Sequence, residues 1–273
     1  MQELDEYGLK EDKDIDLGQM ALDLSRDDHV GVSVDRYESH FKKLRKEVAA
    51  RYDELIKSGA EDDAGVRVAA LKHVLSDIHD YRVDTDEHEI LESADIMRVI
   101  DRALGCRTAL CLLYMDIARA QGWIIEGLNF PNYFLCRIEK DGERLIFDPS
   151  QGCRVLEAQD LRAIVKDALG DQAELSNDYY EGVDGRATVI HLYNFIKTRY
   201  IEVGNYSAAI AIVERMRSVA PDEYRLLLDA GVLYARLDER EKAIECLNEY
   251  IDKAPNYYDR EDARLLLGEL LSE

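Results

Sequence analysis

The chain has 273 residues, 57 acidic side chains against 35 basic ones, a formal net charge of −22 and 47% hydrophobic residues. The apolar share is that of a globular protein of one or two domains and excludes a disordered chain. The acidity argues against nucleic-acid phosphates and anionic membrane surfaces as partners, because both are bound by Lys and Arg, and no Lys/Arg run offers a local exception.

Residues 1–28 carry ten acids and three bases. This stretch lacks the apolar segment of a secretory signal, and residues 1–14 read as an acidic, mobile N-terminus. No stretch approaches the roughly 18 consecutive apolar residues of a membrane span. The five cysteines (106, 111, 136, 153 and 246) include no CxxC pair, which predicts reduced thiols in a cytoplasmic protein. Each is by default a small buried side chain.

The first hundred residues are poor in Pro and Gly, and their apolar spacing is helical. Val34 to Leu55 carries Leu44, Val48, Tyr52 and Leu55 at three- and four-residue steps. Val66 to Ile78 repeats the pattern, and Ile90 to Leu104 reads as one helix capped by Ser93 and ended by Gly105. Asp84, Asp86, Glu87, His88 and Glu89 form an acidic cluster. Its spacing matches neither an EF-hand nor an HExxH site, so it reads as a solvated loop, and no metal or other cofactor is expected.

Cys106 to Ala120 is a strongly apolar helix followed by three β-rich runs: Trp123 to Phe130, Tyr133 to Glu139 and Arg144 to Phe147. Turn residues separate them, which predicts an antiparallel meander. Asp160 to Leu169 returns to helix. The fold class read from these segments is α+β and mostly helical.

The last third repeats itself. Pro221 and Pro255 are 34 residues apart, as are Tyr200 and Tyr234, Ala209 and Ala243, Ile210 and Ile244, and Ala220 and Ala254. A helix–turn–helix period of 34 resembles the tetratricopeptide repeat. Lys197, Met216 and Tyr250 depart from it where a small residue is usual. Asp259 to Leu271 would be a closing helix. By repeat position, His191, Asn194 and Thr198 of the first repeat and Arg225, Leu228, Val232 and Arg236 of the second would line a peptide groove. Alternatively, these helices pack on the central domain and complete its core.

Gly105-Cys106 opening a buried helix, Gly122 closing it, strands after it and Asp148-Pro149 at their end resemble the core of the transglutaminase-like fold. The runs GCRTALCLLYMDIARAQGW, EGLNFPNYFLCRIE and LIFDPSQG narrow the resemblance to the SirB type of that fold, from about Ile15 onward. It implies a transglutaminase-like domain over 15–185 and tetratricopeptide-like helices over 186–273. It also implies a Cys–His–Asp thiol triad, and here the chain departs. Its Pro131-Asn132-Tyr133-Phe134-Leu135 stands where the pattern often reads Pro-Gly-His-Phe-Leu, so the His position is Tyr133. The Cys position falls on Arg107, one residue past Cys106, and only Asp148 is in place.

None of the six histidines lies between His88 and His191. A thiol needs a lowered pKa or an adjacent base to act at neutral pH. A helix N-terminus and Arg107 would favour a Cys106 thiolate, but they cannot return a proton to a leaving group. A phenol such as Tyr133, with an ordinary pKa of about 10, is a poor replacement base. Asp148 reads equally as the start of a turn continued by Ser150, Gln151 and Gly152.

Three functions are consistent with these residues. The first is a non-catalytic interaction or regulatory scaffold, binding a protein or peptide with a basic surface through the degenerate cleft (Cys106, Arg107, Asn132, Tyr133, Asp148, Gln151) or the repeat groove. The second is a cysteine-dependent amidase, peptidase or acyl-transfer enzyme using Cys106 with Asp148, its base being Tyr133, His88 or His191. The third is a small-ligand pocket around Arg107, Asn132, Tyr133 and Asp148.

Overall fold

A run that is apolar on every side becomes a helix buried on every side. In the computed structural model, which describes residues 2–86 and 90–272, this holds for helix α7, Arg107–Arg119, in which Ala109 to Ala118 are all buried. The chain forms two units, Glu11–Leu192 and Tyr193–Glu273, the second including the N-terminal segment up to Lys10.

The 11–192 unit covers α7 with helices α2 (Leu17–Ser25), α3 (Asp35–Lys57), α4 (Ala64–Leu71), α5 (Ile90–Ala94) and α6 (Ile96–Arg102) and a sheet. The sheet strands are β3 (Ile124–Phe130), β4 (Tyr133–Lys140), β5 (Glu143–Asp148), β6 (Arg154–Val155) and β7 (Gly182–Val183), in the order β6-β5-β4-β3-β7 with antiparallel neighbours. A parallel pair, β1 (Arg82–Val83) with β2 (Leu104–Gly105), stands apart and leads into α7.

Alternation along β4 splits its side chains between two layers. Cys136 turns to α7, its Sγ 3.8 Å from the Cys111 carbonyl oxygen, while the Cys111 thiol meets the Phe134 carbonyl at 3.4 Å. Leu135 points the other way, into a cluster of Leu128, Phe130 and Leu156 with Leu161 and Val165 of α8 (Ala158–Leu169). Gly127 permits this packing, because a Cβ there would lie 2.7 Å from the Phe134 ring.

One charge is buried within α7. Asp116 is 3% exposed and accepts hydrogen bonds from the Gly18 amide (2.8 Å) and from the Arg45 guanidinium (2.7 and 3.0 Å). Arg45 also donates to Asp16, the N-cap of α2. Burial raises the Asp116 carboxyl above its usual pKa against the pull of Arg45. Burial acts the same way on the more exposed Asp16, but the Arg45 and Gln19 hydrogen bonds outweigh it and hold that carboxyl low.

Several expected elements differ in detail. Ile90 to Leu104 is two helices, because Asp95 caps α6 through the amides of Met97 and Arg98. Ser93 instead accepts from the Cys106 amide through its carbonyl, and left-handed Ala103, not Gly105, ends α6. The helix expected to reach Ile78 is α-helical only to Leu71 and π-helical over Lys72–Ile78. β6 and β7, two residues each, carry too little periodicity to be seen in sequence.

The other unit holds α9 (Gly185–Glu202) from Tyr193 on, then α10 (Tyr206–Val219), α11 (Arg225–Arg236), α12 (Arg240–Lys253) and α13 (Tyr257–Ser272). The repeat landmarks Ala209 and Ala243 are fully buried. At Gly231 a Cβ would lie 2.8 Å from Leu247, which is why a small residue serves there. Lys197, at the matching position one repeat earlier, is buried and ion-paired with Asp229. In the acidic N-terminal segment α1 (Gln2–Gly8) buries Leu4 and Tyr7, and Gly8 abuts Pro221. Among the described residues no helix is long and apolar enough to cross a membrane.

Two outcomes are expected for urea unfolding. Asp116→Ala removes the buried acceptor of the Gly18 amide and one of the two carboxylates on Arg45, which keeps Asp16, and should cost about 2–3 kcal/mol, against about 1 kcal/mol for Asp16→Ala. Gly127→Val must displace the Phe134 ring and should cost about 1–3 kcal/mol.

Candidate functional site

The candidate site lies where the chain enters α7. β2 leads into Gly105, where a Cβ would lie 3.0 Å from Val99. The Cys106 amide then donates to the Ser93 carbonyl at 2.7 Å, which places Cys106 at the N-cap in extended conformation. Cys106 is half-buried. Its thiol is desolvated, and although the amides of Thr108 and Ala109 favour the thiolate, burial dominates and pushes the thiol up to about 11. At neutral pH it is protonated and therefore a weak nucleophile.

Arg107 and Tyr133 make one assembly. The guanidinium lies 4.0 Å from the Tyr133 ring centroid, a cation–π contact, and Nη2 donates to the Tyr133 hydroxyl at 3.1 Å. Gln151 Nε2 donates to the same oxygen at 2.8 Å. Tyr133 thus serves as a doubly used acceptor between two elements. Asn132 is exposed in the two-residue β3–β4 turn, its φ of 56° being one that Asn tolerates.

Asp148, the last residue of β5, is fully buried. Its Oδ1 accepts from the Ser150 amide (2.8 Å) and hydroxyl (2.6 Å), so it caps the short helix Pro149–Gln151. Its Oδ2 is buried with no hydrogen-bond donor among the described residues. Cys111, Cys136 and Cys153 are buried nearby. Burial raises the Cys111 thiol and pushes Cys153 up to about 12.

Among the described residues four imidazoles are engaged with other side chains. His29 meets Asp95, His79 meets Glu47, and His40 meets the Tyr81 hydroxyl, at 2.6, 2.6 and 2.8 Å. His191 lies in the 11–192 unit and stacks on Phe134, 5.0 Å between ring centroids, where burial lowers its pKa. His88 lies outside the described residues, as do Glu87 and Glu89 of the acidic cluster. Asp84 of that cluster pairs with Arg102 at 2.8 Å. Among the described residues no group of three or more His, Cys, Asp or Glu is placed to hold a metal ion.

The other groove candidates lie on α9 and α11. Asn194 and Leu228 are half-buried, whereas Thr198, Arg225, Val232 and Arg236 are exposed. The Thr198 hydroxyl donates back to the Asn194 carbonyl, and the Lys197–Asp229 pair ties α9 to α11. Sequence reasoning missed Phe195, a large aromatic left 39% exposed beside these residues. Its signal was there in outline, since it precedes Thr198 by three residues, one helical turn.

Known proteins resemble the chain over most of its length. Residues 35–194 match the model of the transglutaminase-like superfamily, and residues 196–268 match that of the tetratricopeptide repeat. A UPF0162 protein of Xylella fastidiosa is 24% identical over 268 residues, covering 96% of this chain and 92% of that protein. Protein SirB1 of Salmonella typhimurium is 22% identical over 175 residues, 63% of this chain and 65% of its own length. The UPF0162 protein YchA of Escherichia coli is 25% identical over 159 residues, 58% and 59% of the two chains. No solved structure matches the chain. The chain belongs to the transglutaminase-like superfamily, with tetratricopeptide repeats following its core.

Proposed function

We propose that the protein is a non-catalytic scaffold, a transglutaminase-like domain that binds a protein or peptide partner and does no acyl chemistry. The observation that carries this reading is the state of the α7 entrance. The nearest thiol, Cys106, is held protonated by burial. The position where the superfamily resemblance implies His is Tyr133, held by Arg107 and Gln151. The buried Oδ2 of Asp148 has no donor among the described residues, which suits an orienting carboxylate whose imidazole has been replaced. An acyl-transfer cycle needs a base that takes a proton and later returns it, and a cationic guanidinium clamped on a phenol does not offer one.

Binding is assigned to the repeat helices. The tetratricopeptide match supports protein interaction, and Phe195 on α9 and Val232 on α11 leave apolar side chains exposed, with half-buried Leu228 one turn before Val232. The excess of 57 acids over 35 bases favours a partner with a basic surface.

Quantitative affinity capture at low salt tests this. The wild-type chain should retain a protein that is lost when Leu228 and Val232 are both replaced by Glu, while Tyr257→Ser leaves it bound. Equal recovery with wild type and the double variant, both folded by circular dichroism, would contradict the assignment to these helices. Raising the salt should weaken the retained complex, because a charge-steered interface is screened over about 8–10 Å at 0.1–0.15 M.

A further inference from the structure

Helix α3 and the π-helical segment after α4 meet across two imidazoles. His40 of α3 and His79, just past the π-turn, stand edge to face with ring centroids 5.6 Å apart. His79 Nε2 lies 2.6 Å from the Glu47 carboxylate, and His40 Nε2 lies 2.8 Å from the hydroxyl of buried Tyr81. The two rings are therefore not equivalent. His79 has a carboxylate to receive its proton's charge. His40 faces His79, Lys43 of its own helix and a neutral phenol, and Glu47 is the acid that favours its charge. Asp101 of α6 reaches Tyr81 by charge alone. A proton on His40 therefore places a cation at a half-buried position beside the His79 ring and Lys43.

The chain carries this contact onward to the α7 entrance. Tyr81 leads directly into β1, where the Arg82 amide donates to the Ala103 carbonyl and the Asp84 amide to the Gly105 carbonyl. Gly105 is the residue before Cys106. The histidine pair thus sits at one end of a short strand whose other end borders the α7 entrance. A π-helical run of seven residues, which continues from α4 and ends just before His79, is a rare way to pass through this point.

We propose that His40, set against His79, forms an acid-sensitive latch between α3 and the π-segment, and that protonation of His40 loosens β1 at the entrance to α7. Such a latch does not depend on any binding partner, since every group in it belongs to this chain.

The sign is set by His40. Burial, then His79 and Lys43, lower its pKa below the ordinary histidine value of about 6.5. The unfolded chain therefore binds its proton first as pH falls. Stability from this site is complete above about pH 6.5 and declines as pH drops through the folded pKa.

Hydrogen exchange measured at pH 7.5 and 5.5, divided by the intrinsic rates, tests the latch in the full chain. Amides of 72–84 should lose protection several-fold at the lower pH, while α12 keeps its own. His40→Gln, which can still bond Tyr81, should abolish that pH-dependent loss. Glu47→Gln, which removes the acid that favours charge on His40, should deepen the loss at pH 5.5. The same acid loss in wild type and His40→Gln would overturn the proposal, as would a loss spread evenly over the 11–192 unit.

Discussion

Helix α7 shows no side chain to water from Ala109 to Ala118, and the organisation of the 11–192 unit follows from that constraint. A helix apolar all round must be enclosed, so one face takes the sheet and the others take α2, α3 and the segments around them. The single charge within this run, Asp116, is tolerated because Arg45 and the Gly18 amide meet both of its oxygens. That cluster also ties α2 and α3 to the buried helix. An ion pair at such depth contributes little net stability over an apolar pair, yet breaking it is costly.

The same enclosure governs the chemistry at the entrance to α7. A helix N-terminus lowers the pKa of a thiol beside it, but only against the cost of placing charge in a poorly solvated place. For Cys106 that cost wins. The neighbouring cation does not correct the balance, because Arg107 is directed to the Tyr133 ring and hydroxyl. At this entrance Arg107, Tyr133 and Gln151 are joined by a cation–π contact and hydrogen bonds, which is the arrangement the proposed scaffold reading rests on.

Much of this was legible in the sequence. The buried helix, the three-strand meander and the 34-residue period are long or strongly periodic signals, and all appear in the structure close to where the residues place them. What escaped was set by contacts distant in sequence. The break at Asp95 depends on a side chain capping two amides, and a strong helical periodicity on either side conceals it. The π-turn cannot be read from periodicity that assumes 3.6 residues per turn. β6 and β7 are held by their neighbours in the sheet. At the site, the missing imidazole was visible as composition between His88 and His191. The Gln151 hydrogen bond to Tyr133 and the unmatched oxygen of Asp148 required coordinates.

The most direct test of a non-catalytic α7 entrance is the pH dependence of alkylation at Cys106, followed by peptide mass spectrometry on the native protein. A thiol held protonated by burial should react slowly at pH 7, with a rate still rising beyond pH 9. Rapid modification with a midpoint near or below pH 7 would mean that the thiolate is stabilised at this helix entrance, and would contradict a non-catalytic cleft.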